Sequence, residues 1–171
     1  MVPPDVAPVA DRAAMGFTHI NAFVEGAVRT FEQMCKVSTE RDGELKVRRG
    51  MFDTYDLVGL IGLSGSVRGA VMLSMPILTG KRLVSKFLGE TIRETGPELM
   101  DAYGELLNII AGAASAELAK MESGSVQISL PAVFIGKDLK TSGQSNRPWI
   151  VIPMRMEGWG KYNIEISREG V

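Results

Sequence analysis

The chain is poor in the residues most often used for covalent chemistry. Among 171 residues it has one cysteine, Cys35, and one histidine, His19. One of each builds neither a structural zinc centre nor an internal disulfide. A nucleophilic triad would have to rest on His19. Both residues lie in one amphipathic segment, where Cys35 reads as a small buried thiol. Charge of one sign is lacking too: 19 Lys and Arg against 20 Asp and Glu leave a net −1. That balance gives no electrostatic reason to expect nucleic acid or an anionic membrane as partner. No apolar run reaches the ~18 residues a spanning helix needs. The opening MVPPDVAPVADRAAM has no basic stretch leading into an apolar one and does not read as a secretory signal. Its prolines and small residues predict a flexible lead-in over residues 1–15, followed by one domain over 16–171. A cytoplasmic location is expected.

What is present is an ordinary globular composition, 45% hydrophobic and 23% charged, long enough for one well-buried core. Ile20, Phe23, Val24, Ala27, Val28, Phe31 and Met34 recur at helical spacing and predict a first long helix from Phe17 to Met34. ELKVRRGMF is extended. DLVGLIGLSG and SVRGAVMLSMP, parted at Gly65-Ser66, predict a β-hairpin stopped by Pro76. ILTGKRLVSKFLGE is helical and ends at Gly89. Thr95-Gly96-Pro97 opens a third helix running to about Lys120. VQISLPAVFIG is extended and broken by Pro131. KDLKTSGQSNRP, residues 137–148, reads as a polar connecting loop. RPWIVIPMRM and KYNIEISRE predict a second hairpin. The expectation is an α+β domain, long helices on a largely antiparallel sheet, with a helix-plus-strands unit occurring twice.

The third helix breaks a local rule. In DAYGELLNIIAG, Asn108 stands mid-helix among glycines, although Asn and Gly are poor helix formers. At about 100° per residue, Tyr103, Leu106, Leu107, Ile110, Ala113 and Ala114 share the core side. Asp101, Glu105, Asn108 and Gly112 fall within roughly 40° of one direction on the other side. Gly104, Ser115 and Ala116 flank that stripe. A solvated helix face normally carries long Lys, Glu and Gln side chains, whereas this one is pared down. Two explanations stay open from the helix pattern alone: a docking surface that another body approaches closely, or a polar outer face without a role.

Asp101-x3-Glu105-x2-Asn108, followed after twenty-two residues by Pro131, resembles the signature of the CheC/CheX/FliY chemotaxis phosphatases. MDAYGELLNIIAGAASAEL is similar to that family's active helix, INAFVEGAVRTFEQM to the first helix of its CheX branch, and GAVMLSMP to the strand before its middle helix. The likeness covers Phe17 to about Ser167. In the first helix Asn21-x3-Glu25 repeats the spacing, but Val28 stands at the place of Asn108 and Met51 at that of Pro131. That leaves one site, as in the CheX branch, and makes Glu25 structural or neutral.

The resemblance implies a CheC-like fold and a hydrolase for the aspartyl phosphate of a CheY-like response regulator in two-component signalling. It implies Asn108 as the water-orienting residue and a salt bridge from Glu105 to the regulator's lysine. Asp101, Gly104 and Gly112 are expected at the docking surface, and Pro131 shapes the neighbouring strand. No cofactor or metal of the protein's own is expected, the Mg2+ being supplied by the regulator. A homodimer is implied, with no nucleic acid or membrane partner. The alternative is a non-catalytic dimeric interaction module of a chemotaxis or flagellar-switch complex on the same fold.

Overall fold

Long apolar runs parted by glycine supply the centre of the sheet. The structure, a computed structural model, describes residues 9–121, 124–143 and 147–169, with side chains from residue 18 onward. Helix α1 (Val9–Cys35) leads into short strands β1 (Thr39–Arg41), β2 (Lys46–Arg48) and β3 (Gly50–Asp53). The first hairpin, β4 (Leu57–Gly65) and β5 (Gly69–Met75), precedes α2 (Ile77–Leu88) and α3 (Pro97–Met121). Strands β6 (Val126–Ile128), β7 (Ala132–Ile135) and β8 (Lys140–Gly143) lead to the second hairpin, β9 (Trp149–Met156) and β10 (Gly160–Arg168). Pro76 lies directly before α2, and Gly89 closes that helix at φ 75° with its N–H on the Ser85 carbonyl. A left-handed cap of this kind favours glycine.

Both hairpins, the middle helix and the third helix stand where the sequence places them. Three expectations change. The first helix begins at Val9 rather than Phe17; residues 1–8 of the expected lead-in lie outside the described residues. β1 has no signature in the sequence. Part of the expected loop 137–148 is a strand, β8, which pairs with β3 as a separate two-stranded ribbon.

The main sheet is antiparallel, in the order β1-β9-β10-β5-β4-β6, with β2 also on β9 and β7 also on β4. The two hairpins meet at β5 and β10. Across that seam the arrangement repeats: β1 and β2 attach to the second hairpin as β6 and β7 attach to the first. The duplication expected from the sequence is thus visible in the topology. It also corrects one equivalence. The last pair of the first hairpin, Leu63 with Gly69, corresponds to Met156 with Gly160 in the second. Val58, opposite Phe134, then corresponds to Val151, opposite Lys46. Counted back from those partners, the place of Pro131 falls on Gly43. Counted forward from Thr39, which faces Met156 as Ile128 faces Leu63, it falls on Asp42, because the stretch from Thr39 to Lys46 is one residue longer than that from Ile128 to Phe134. Met51 lies further on, in β3, and is not the counterpart of Pro131.

One face of the sheet carries α1 and α3 over a core that includes Phe23, Phe31, Ile61, Leu73, Tyr103, Leu107, Ile152 and Tyr162. Phe31 meets Tyr162 edge to face, ring centroids 5.5 Å apart, a favourable aromatic geometry. The other face packs Val58, Met72 and Trp149 against Phe52 and Leu139, beside the β3–β8 ribbon.

That second face buries a carboxyl group. Glu165 on β10 is 1% exposed. Ser74 Oγ donates to its Oε1 at 2.6 Å, while Oε2 has no partner among the described residues. Burial pushes its pKa above the ordinary carboxylate value. A carboxyl that binds its proton more tightly folded than unfolded destabilises the fold as it ionises. Its contribution is intact below about pH 4, where both states are protonated, and is lost as pH rises through the folded pKa. Glu165→Gln should therefore gain stability over wild type progressively as pH rises above about 4, until the folded carboxyl has ionised. Denaturant midpoints of the two proteins across that range check this; parallel curves would refute it.

Candidate functional site

Helix α3 starts where the backbone is prepared for it. Pro97 occupies the first turn, where a missing N–H costs nothing, and Met100 N donates to Gly96 O at 3.2 Å. Leu99, Tyr103, Leu106, Leu107 and Ile110 face the sheet and are buried. Tyr103 donates its hydroxyl to the Leu73 carbonyl at 2.8 Å. Gly59 on β4 permits close seating: a Cβ there would fall 2.8 Å from Leu107 Cδ2 and 3.1 Å from Tyr103 Cε1.

With that side fixed, the opposite side is determined. Asp101 and Glu105 are exposed; Asn108 and Gly112 are half-buried. Among the described residues neither the Glu105 carboxylate nor the Asn108 amide has a hydrogen bond or an ion pair. A Cβ built on Gly112 meets nothing within 4 Å. Four positions of the pared-down stripe thus form one outward ridge, and two of its polar groups have no partner among the described residues.

Two residues behave differently from expectation. Gly104 is buried rather than open: its Cβ position lies 3.4 Å from both Pro131 Cγ and Val133 Cγ2. It lets the turn before β7 lie against the helix and offers a partner nothing to touch. Ala113, placed in the core by the helical wheel, is exposed, and Ala111 is buried instead. The core side of α3 is set jointly by the sheet and by α1. Gly26 of α1 comes so close that its Cβ position is 3.1 Å from the Ile110 carbonyl oxygen.

The chemistry available is narrow. His19 is buried, and its Nδ1 accepts from the Arg168 guanidinium at 2.8 Å. Burial pushes the Cys35 thiol up to about 11, so it stays protonated and inert near neutral pH. Among the described residues no group of three or more His, Cys, Asp or Glu could hold a metal ion. No helix among them is long and apolar enough to cross a membrane. A cavity of about 880 Å³ beside α2 is lined in part by Lys81, Arg82, Arg93 and Trp159 and includes neither Glu105 nor Asn108. The ridge is convex. Its groups act on something that comes to it.

Comparison with known proteins identifies the family and the fold. The sequence matches the family described as chemotaxis phosphatase CheX over residues 57–155, which takes in all of α3 and Pro131. A CheY-P phosphatase CheX of Thermotoga maritima is 33% identical over 87 residues, half of this chain and 56% of that protein. The chain thus spans little more than half the length of that curated relative. The structure of a chemotaxis protein CheX from Desulfovibrio desulfuricans superposes with a TM-score of 0.78 at 24% identity, covering 88% of this chain and 99% of that one. The Borrelia burgdorferi CheX, solved as a complex with CheY, BeF3 and Mg2+, gives a TM-score of 0.71 at 22% identity, covering 88% and 97%. Since the family match takes in more than half of the chain, including the helix that bears the outward ridge, this protein belongs to the CheX family of chemotaxis phosphatases.

Proposed function

We propose that the protein hydrolyses the aspartyl phosphate of a CheY-like response regulator, with Asn108 orienting the attacking water. The observation that carries this reading is the Glu105–Asn108 pair: a carboxylate and an amide, without partners among the described residues, displayed on a ridge sparse enough for another domain to reach. An acyl phosphate is already reactive. Its hydrolysis needs a water in line with the leaving carboxylate and charge stabilisation on the phosphoryl oxygens. The regulator's own Mg2+ and lysine supply the second. The amide supplies the first: its oxygen accepts from the water while its NH2 donates to a phosphoryl oxygen. Water attacks phosphorus, the bond from phosphorus to the aspartyl oxygen breaks, and the regulator's carboxylate and inorganic phosphate leave. The glutamine of Ras is the familiar precedent for a side chain that orients water at phosphorus.

Glu105, one turn earlier on the same ridge, pairs with the regulator's lysine and fixes the register in which Asn108 enters. Asp101 lies at the edge of the docking surface, within the first turns of α3, where a negative charge also suits the helix dipole.

The experiment is the decay of phosphorylated regulator with a substoichiometric amount of the protein. A shortened lifetime is expected, and an unchanged one would overturn the proposal. Glu105→Lys should weaken regulator binding about tenfold, because it sets two cations against each other. A fluorescence titration with regulator measures this; equal affinity would remove the salt bridge.

A further inference from the structure

We infer that Leu130 is an apolar anchor for the regulator, a docking residue beside the ridge that takes no part in the chemistry. This rests on the phosphatase reading and adds a residue to it. Leu130 is 89% exposed, more than any other large apolar residue among the described residues. Single exposed leucines are common and by themselves mean little. What sets this one apart is how firmly it is held out. On one side Ser129 N donates to Gly62 O at 3.0 Å, and Gly62 N donates to Ser129 Oγ at 2.9 Å. The same hydroxyl donates to the Leu130 carbonyl at 2.9 Å. On the other side Pro131, with its φ fixed by the ring, lies against Gly104 of α3. A leucine on a slack loop would fold back over the nearest apolar surface. Here both flanking residues are tied down, and the side chain stays in water.

Its place is also informative. Pro131 touches α3 one turn before Asn108, so Leu130 stands next to the ridge that bears the amide. The duplicated fold provides an internal comparison. The corresponding stretch in the other half, by the strand register on either side, is Arg41-Asp42-Gly43, before β2, with neither leucine nor proline. That half has Val28 where the spacing from Asn21 and Glu25 would put the amide. The exposed leucine and its proline thus occur in the half that has the amide and are missing from the half that does not. A structural need shared by both halves would not be distributed in this way. An anchor at this place needs an apolar hollow beside the regulator's phosphorylation site, and filling it would bring Asn108 into register.

Steady-state dephosphorylation by Leu130→Ser tests the inference, with Met121→Ser, 55% exposed at the far end of α3, as the control. Leu130→Ser should raise KM for the phosphorylated regulator about tenfold and leave kcat within about twofold; Met121→Ser should change neither. An unchanged KM, or a fall in kcat at constant KM, would overturn the anchor. A direct titration with regulator carrying beryllofluoride separates this from failure of the parent reading. If wild type binds but does not hasten decay, the phosphatase falls, and the affinity of Leu130→Ser still decides the anchor. If wild type does not bind, both fall. Sedimentation of the variant completes the set: a change in oligomeric state would assign Leu130 to a contact between copies and overturn the inference.

Discussion

Replacing Asn108 by alanine should leave the chain folded and cut its acceleration of regulator dephosphorylation at least about a hundredfold, the usual cost of removing one preorganised donor at a reacting centre. Folding should survive because the amide makes no hydrogen bond within the described residues and points outward from α3. Alanine is also the better helix former, by a few tenths of a kcal/mol. Binding of the regulator should change little, since the rest of the ridge remains. The loss then lies in kcat, which distinguishes a group acting on the transition state from one that only attracts the partner. Asn108→Asp sharpens the test. It keeps the shape but replaces the donating NH2 with a negative oxygen facing a phosphoryl group, so it should be no better than alanine. Single-turnover decay of phosphorylated regulator, together with thermal melts, measures both parts. Acceleration that survives in Asn108→Ala would remove the amide from the mechanism.

Much of this protein is legible in its sequence because its strongest elements carry their own signals. The first hairpin is two Val/Leu/Ile-rich runs parted by glycine, and the second alternates apolar and polar positions around Gly158-Trp159-Gly160. α2 is bracketed by Pro76 and Gly89, and α3 opens at Gly96-Pro97. The ridge is legible for a simpler reason: helical geometry alone places Asp101, Glu105, Asn108 and Gly112 on one side. What cannot be read depends on partners distant in the chain. β1 and β8 are short and polar, and they are strands because Met156 and Phe52 stand opposite them. Tertiary pairing outweighs their weak propensity. Ala113 and Ala111 exchange roles because α1 presses on α3 from a direction α3's own sequence does not encode. Met51 fails as the counterpart of Pro131 because equal spacing is a poor guide when two halves have connections of different length; strand register supplies the equivalence. Leu130 gives no periodic signal, and only its exposure and its fixed flanks single it out.

Glycine in a helix illustrates the same limit and leads to the second large effect. Gly104 and Gly112 look alike in the sequence, two small residues, one flanking the stripe and one within it. In the structure Gly104 makes room for the protein's own Pro131 and Val133, whereas Gly112 has open space where its Cβ would be. A longer side chain at the two positions should therefore act in opposite ways. Gly112→Gln replaces a poor helix former with a good one at no steric cost inside the protein, and should stabilise by roughly 0.5–1 kcal/mol, raising Tm by a few degrees. It also places a side chain of several ångströms one turn beyond Asn108, whose own reach is short. The regulator should be held off the amide, and kcat/KM should fall at least about a hundredfold, as with Asn108→Ala. Gly104→Gln, by contrast, must push Pro131 from α3 and should lose stability first. A melt and a dephosphorylation assay on each variant decide the matter. Greater stability with activity lost at Gly112 means that the bare helix is kept for a visitor; greater stability with activity kept would leave the gap at Gly112 without a purpose and move the docking surface elsewhere.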